Sequence, residues 1–151
     1  MTPRRYSATG SITAAATKTI LGLTGGTTIR TSVYDLVLSN FATPADNAAQ
    51  WQLRRSTVAA TGGTALTPPA LDSADPAAVT AVQVAPSAEP TYTASMTLLD
   101  VAVNQRATFR WVAAPGSEFI TPATSANGIG CQCVAVNAGV GSADATILFM
   151  E

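Results

Sequence analysis

The residue types that carry most catalytic and metal chemistry are scarce in this sequence. Its 151 residues include no histidine, which excludes Ser-His-Asp and Cys-His catalysis and all histidine metal sites. On a strand, Cys131 and Cys133 would share a face with their Cα atoms about 7 Å apart, at the limit for a disulfide. A closed zinc site needs four ligands, and there is no third cysteine. We predict that both thiols pack in the core; the alternatives are a redox-labile pair and a metal shared between subunits.

The carboxylates Asp72 and Asp75 form a second candidate site, in the segment LDSADP. Their oxygens would suit Ca²⁺, which takes about six to eight oxygen ligands. A glycosidase acid and base would need a cleft with stacked aromatic residues, and no such cluster lies nearby in the sequence. Aspartate before serine or proline is typical of turns. We therefore expect these two residues to stabilise a turn.

Arginine supplies seven of the eight basic residues, with adjacent pairs at Arg4-Arg5 and Arg54-Arg55. The planar guanidinium binds carboxylates in a bidentate way, so arginine is favoured in interface ion pairs. Since Arg54 and Arg55 would point to opposite faces of a strand, we expect at least one to face a partner or a subunit interface. The alternative is that they are solvated or paired within the chain.

Composition narrows the class of protein further. The chain is 47% hydrophobic and 11% charged, with a formal net charge of -1, whereas soluble domains carry about 25% charged residues. This balance argues against a nucleic-acid binder held by a basic field. No apolar stretch is long enough to span a membrane, and the N-terminus lacks the apolar run of a secretory signal. We expect synthesis in the cytoplasm, with no cofactor, metal, nucleic acid or membrane as partner.

Alternating polar and apolar residues predict strands along most of the chain. The run Thr28–Asn40 places Tyr34, Leu36 and Leu38 on one face, and turn signals separate the runs that follow. We predict one domain over residues 1–151, an all-β antiparallel sandwich of about eight strands that is jelly-roll-like, with an immunoglobulin-like sandwich as the alternative. The residues expected in the core are Tyr34, Leu36, Trp51, Trp111 and Phe149. A sugar-stacking platform of Tyr34, Trp51, Tyr92 and Trp111 is the other interpretation of the aromatic residues.

Two segments are predicted to extend from the sandwich. Thr64–Val82 contains Pro68, Pro69 and Pro76, which disfavour a central strand. We predict an extended Pro-rich arm over a neighbour, the alternative being a plain surface loop. The N-terminal Met1–Gly10 is predicted as a second arm, whose deletion weakens attachment more than folding because termini usually lie outside the core.

Four stretches carry a resemblance to known proteins. At TPADNAAQWQLRR, LTPPALDSADPAA, AEPTYTA and NQRATFRWVAAPGSE the chain resembles a group of short phage-encoded virion structural proteins, over roughly Thr43–Asn137. The resemblance implies a role in a phage particle. The natural role for a small jelly roll there is a head decoration (cement) protein, of the kind that sits as a trimer on the outer shell.

The expectation is therefore a non-enzymatic decoration protein on the virion capsid surface that binds the major capsid protein and itself as a homotrimer. A ring of three needs heterologous contacts, which the two arms could supply. The alternative is a tail or fibre component with receptor or glycan binding; a hydrolase and a major capsid subunit fit the sequence less well. The candidate interface residues are Arg4, Arg5, Arg54, Arg55, Pro68, Pro69, Asp72 and Asp75.

Overall fold

The computed structural model describes residues 3–136 and 141–151, which fold into eleven β-strands. The strands are β1 (Arg5–Thr13), β2 (Lys18–Thr24), β3 (Ser32–Phe41), β4 (Ala48–Val58), β5 (Thr64–Leu66), β6 (Ala81–Val84), β7 (Thr91–Asn104), β8 (Phe109–Val112), β9 (Phe119–Ile120), β10 (Gly128–Val136) and β11 (Ser142–Met150). Strand β10 corresponds to the alternating run Gly128–Asn137, which the sequence predicts as a strand, and the last residue of that run lies outside the described residues. Within those ranges no segment is helical, so no helix there could cross a membrane.

The strands form two sheets that pack face to face. Sheet 1 has the order β1-β11-β3-β8, with β9 also paired to β3, and sheet 2 has the order β5-β6-β2-β10-β4-β7. The pairings within both sheets are antiparallel. The predicted antiparallel β-sandwich is confirmed, although the described residues form eleven strands and about eight were expected.

Strand β2 was not predicted because it does not alternate. All six residues after Lys18 in this strand are buried, since it lies in the interior of sheet 2 and is covered on both faces. At Gly22 the covering chain is so close that a methyl group would lie 2.9 Å from Ala60 Cβ. A strand buried on both faces gives a continuous apolar run rather than a period of two.

A β-bulge changes the phase of β3 and overturns one core prediction. The register with β11 passes from Asp35 opposite Leu148 to Val33 opposite Phe149, so Tyr34 is the extra residue. Val33, Leu36 and Leu38 are consequently buried, whereas Tyr34 is only half-buried. The expectation that Tyr34 shares the core face with Leu36 was wrong.

The other predicted core residues lie in or against the space between the sheets. Leu36, Trp51 and Phe149 are fully buried, and so are Cys131 and Cys133. The core-packing interpretation of the two thiols is thus confirmed. Trp111 is half-buried: it packs against the edge of the core and stacks on Phe119, with ring centroids 4.4 Å apart.

The N-terminal residues are part of the fold rather than an arm. Arg5–Thr13 pairs along its whole length with β11, and Tyr6 and Ala8 are fully buried. The Tyr6 ring stacks on Phe149 with centroids 5.5 Å apart. Deleting the first ten residues would remove two core side chains and six of the nine residues of β1, so the premise that these residues lie outside the core was wrong. Met1 and Thr2 lie outside the described residues.

Candidate functional site

An open groove at the edge of sheet 1 collects three of the eight candidate interface residues. Its volume is about 530 Å³, and it is lined by Pro3, Arg5, Leu71, Asp72 and Asp75. We call it the β1 groove. Arg5 belongs to β1 and the two aspartates to the Pro-rich segment, so the groove depends on how these two parts of the chain are joined.

Backbone hydrogen bonds join the Pro-rich segment to the outer edge of β1. Ala70 forms an antiparallel bridge with Tyr6: the Ser7 amide donates to the Pro69 carbonyl at 3.1 Å, and the Leu71 amide donates to the Arg5 carbonyl at 2.8 Å. A short extra strand of this kind covers part of an otherwise unpaired edge. The segment therefore lies on its own chain, with a fixed register to β1.

Further contacts hold the C-terminal half of the segment. The Tyr6 hydroxyl donates to the Pro76 carbonyl at 3.0 Å. The Glu151 carboxylate accepts the amides of Val79 and Thr80 at 3.1 and 2.6 Å. The Glu151 backbone in turn pairs with Arg4, at 3.0 and 3.2 Å. Burial, aided by the negative charge of Glu151, raises the pKa of Tyr6, so its hydroxyl remains a donor at neutral pH.

The Asp72 side chain on the groove stabilises a turn, as predicted, whereas Asp75 takes part in this turn through its backbone amide. The Ala74 amide donates to Asp72 Oδ1 at 3.0 Å, and the Asp75 amide donates to the Asp72 carbonyl at 3.0 Å. Asp75 Oδ1 also lies 4.0 Å from Arg4 Nε, with both side chains partly exposed; an ion pair of this kind contributes little stability. No group of three metal-ligating side chains is found in the described part of the chain, so the calcium alternative gains no support.

The groove presents opposite charges beside an exposed apolar side chain. Arg5 lines the groove from β1 and Asp72 from the Pro-rich segment, and Leu71, which also lines it, is 54% exposed. Exposed charges of both signs around an apolar centre are typical of a protein-binding surface. Sequence reasoning missed Leu71 because an isolated leucine in a Pro-rich loop has no periodicity that distinguishes an exposed position from a buried one.

Arg54 and Arg55 point to opposite faces of β4, as predicted, but both contact their own chain. Arg54 Nη1 donates to Gln132 Oε1 at 2.8 Å, and the guanidinium lies 4.7 Å from the centroid of the Tyr92 ring. Arg55 Nη1 reaches across to sheet 1 and donates to the Ile120 carbonyl at 2.7 Å. The structure thus places neither arginine in the β1 groove.

The two candidate prolines, Pro68 and Pro69, also lie in different environments. Pro68 is buried where the chain leaves β5, and Pro69 is exposed beside β1. Pro69 takes part in the site through its carbonyl, which accepts the Ser7 amide.

The aromatic residues do not assemble into a sugar-stacking platform. Trp51 is 2% exposed in the core, and Trp111 is covered by Phe119. Tyr92 lies beneath Arg54, on the face of sheet 2 opposite to Trp51, and its hydroxyl is 2.6 Å from the Thr19 hydroxyl. Stacking on a sugar requires exposed rings that share one surface, and these three rings lie in different environments.

Known proteins add no assignment to this geometry. No protein-family model, curated protein or solved structure matches the chain.

Proposed function

We propose that this protein is a phage capsid decoration (cement) protein, which binds the outer head shell and stabilises it against DNA packaging pressure. The observation that carries the proposal is the β1 groove, which is lined by exposed Leu71 and by charges of opposite sign, and in which backbone hydrogen bonds hold the Pro-rich segment to β1. A surface fixed in this way binds a protein partner without loss of loop entropy. The resemblance of Thr43–Asn137 to short virion proteins supports the same role.

The strand order supports the jelly-roll interpretation on which the decoration role depends. The chain crosses between the two sheets six times, at β1 to β2, β2 to β3, β3 to β4, β7 to β8, β9 to β10 and β10 to β11. Eight strands that alternate between two four-stranded layers are typical of jelly rolls. In this interpretation β5 and β6 extend one layer, and the Pro-rich segment is the connection between them.

The proposed partners are the major capsid protein and further copies of this chain as a homotrimer. A closed ring of three uses heterologous contacts, in which one surface patch meets a different patch on the next copy. The β1 groove is one such patch. Because the protein binds the assembled shell and not its free subunits, it stabilises the assembled state by mass action. The proposed location is the virion surface, after synthesis in the host cytoplasm.

This role requires no catalytic group, in keeping with the proposal that the protein is not an enzyme. The chain lacks histidine. Burial raises the pKa of Cys133 to about 11 and also raises the pKa of Cys131, so neither thiol is available as a nucleophile at neutral pH.

The test is occupancy on stripped capsids of the phage that encodes the protein. Leu71→Asp introduces a charge at the centre of the groove and should lower occupancy at least tenfold while leaving the melting temperature nearly unchanged. The matched control is Val112→Asp on β8, which is 55% exposed and therefore similar to Leu71 at 54%. Equal binding by the two variants would show that the groove is not part of the binding surface. Binding of the parent protein to isolated tails in place of heads would favour the tail or fibre alternative.

Salt dependence tests the balance of forces in the same contact. Because the groove has charges of both signs and the chain has a net charge of -1, binding should survive a rise from about 0.1 to 1 M salt, over which the Debye length falls from roughly 10 to 3 Å. Arg5→Ala should weaken binding more than Arg54→Ala, since Arg54 is already engaged by Gln132 and Tyr92. Complete release at high salt would mean that electrostatic attraction dominates.

A further inference from the structure

Strand β7 is the longest strand of the sandwich and lies at the edge of sheet 2. Among the described strands only β4 pairs with it, so its other side presents unpaired backbone donors and acceptors. The remaining edge strands are shorter: β5 has three residues, β8 has four, and β1 has nine, with its Tyr6 end paired by Ala70. Natural sheets usually shorten or cover their edges to prevent pairing with other chains. The exception at β7 therefore indicates a binding edge.

The open part of this edge is the second half of the strand. At its first half the register with β4 jumps from Thr97 to Tyr92, and Ser95 has a φ of 61°, so this part is bulged. From Leu99 to Asn104 the register is regular. These six residues span about 20 Å, which is enough to pair with another strand. We call Leu99–Asn104 the β7 edge.

The β7 edge also lacks the residues that normally block edge pairing. It contains no proline and no basic residue. Its one charged residue is Asp100, whose carboxylate accepts amide hydrogens from Gln50 and Gln52 at 2.8 and 2.9 Å. Because both donors lie on β4, the carboxylate is held on the side of the neighbouring strand and leaves the open side of β7 accessible to a second strand.

An apolar stripe on the inner face of the β7 edge is left incompletely covered. Leu99, Val101 and Val103 lie opposite Leu53, Trp51 and Ala49, respectively. The three residues on β4 are at most 2% exposed, whereas the three on β7 are only half-buried. The core thus extends to the last strand of the sheet and ends there without a cover. A further strand with the same alternation would complete it.

We propose that the β7 edge pairs antiparallel with the β7 edge of a second copy of this chain about a two-fold axis, joining two six-stranded sheets into one of twelve strands. In isologous pairing the same patch of each copy forms the contact, so the apolar stripe of one copy continues into that of the other. The short edges β5 and β8 could not match it over six residues. This contact is independent of the virion role. If the homotrimer is also correct, the β7 contact joins copies of neighbouring trimers.

Cross-linking through a single introduced cysteine tests the two-fold axis directly. Ala102 is exposed near the middle of the edge, and in antiparallel two-fold pairing its copies are either directly opposite or diagonal neighbours about 7–8 Å apart. A short bismaleimide should therefore convert Ala102→Cys into a covalent dimer. Ala114→Cys, at an exposed position outside the strands, is the control and should not cross-link. The native thiols are buried and remain unlabelled. Failure of Ala102→Cys to dimerise, or equal dimer yield from both variants, would overturn the proposal.

Sedimentation supplies a second measurement that separates this contact from the trimer. Ala102→Asp places like charges opposite each other, or opposite Asp100 of the second copy, and should halve the mass of the particle relative to the parent protein. Ala114→Asp should leave the mass unchanged. If the parent protein has the mass of six chains and Ala102→Asp that of three, both contacts are supported. If the parent has the mass of two chains and the variant that of one, only the β7 contact is supported. A trimer unaffected by Ala102→Asp overturns the β7 proposal and leaves the proposed function in place.

Discussion

Replacing Tyr6 with phenylalanine removes one oxygen atom from the contact between β1 and the Pro-rich segment. The phenol ring is fully buried and stacks on Phe149 with centroids 5.5 Å apart, and phenylalanine can keep this packing. What is lost is the hydrogen bond to the Pro76 carbonyl at 3.0 Å. The substitution therefore isolates one of the contacts that hold the segment in place.

The expected loss of stability is about 1 kcal/mol, because a single neutral hydrogen bond contributes roughly 0.5–1.5 kcal/mol. Since Pro76 is itself exposed, water can hydrate its carbonyl in the variant and limit the loss. The melting temperature should fall by about 2–4 °C for a chain of this length. Tyr6→Ala, which also removes the stacked ring and leaves a cavity, should cost about 3–5 kcal/mol.

Hydrogen exchange distinguishes a local effect from a global one. In Tyr6→Phe the amides of Ala74, Asp75 and Thr80 should exchange about fivefold faster, in proportion to 1 kcal/mol. The Leu71 amide, which is bonded to the Arg5 carbonyl, should change less because that bond remains. If the melting temperature falls while exchange in residues 72–80 is unaltered, then the hydroxyl does not hold the segment and our account of the groove is incorrect.

Three further predictions concern the core and the sheets. Native protein should resist thiol labelling at about pH 8, because burial raises the pKa of Cys133 to about 11 and that of Cys131 too; labelling should occur only in denaturant, and neither chelator nor reductant should shift the melting temperature. Gly130→Ala should destabilise the fold by about 1–3 kcal/mol, because the added methyl would clash with the Tyr92 ring; an unchanged urea midpoint would contradict this packing. Burial raises the pKa of Asp144, so the folded state binds the proton of this carboxyl more tightly than the unfolded state does. The carboxyl therefore destabilises the fold as pH rises through that pKa. In thermal melts, Asp144→Asn should raise the melting temperature slightly at about pH 7 and have no effect near pH 2.

Alternation in the sequence predicts a strand well where one face is buried and the other is exposed. Leu36 on β3 and Trp51 on β4 were assigned to the core in this way, and both are buried there. The same criterion missed β2, which is buried on both faces. It also assigned Tyr34 to the wrong face of β3, because the bulge that shifts the phase arises from pairing with β11, more than 100 residues away in the chain. Local patterns do not contain the register of a distant partner.

The candidate site shows the same division between sequence and structure. The residue types in the Pro-rich segment indicated a turn, and Asp72 indeed receives the Ala74 amide. The sequence did not indicate that this turn lies beside Arg5. That placement depends on the bridge between Tyr6 and Ala70 and on the Glu151 carboxylate, which join segments far apart in the chain.

The sequence by itself determined the class of this protein: its period of two and its frequent turn residues specify an antiparallel β-sandwich, and the lack of histidine excludes a large part of enzyme chemistry. Only the tertiary structure decided which charges meet in the β1 groove and which edge is left open at β7. The physical reason is that side-chain periodicity is a property of neighbouring residues. Sheet order and edge coverage are instead set by backbone hydrogen bonds between strands that are distant in the chain.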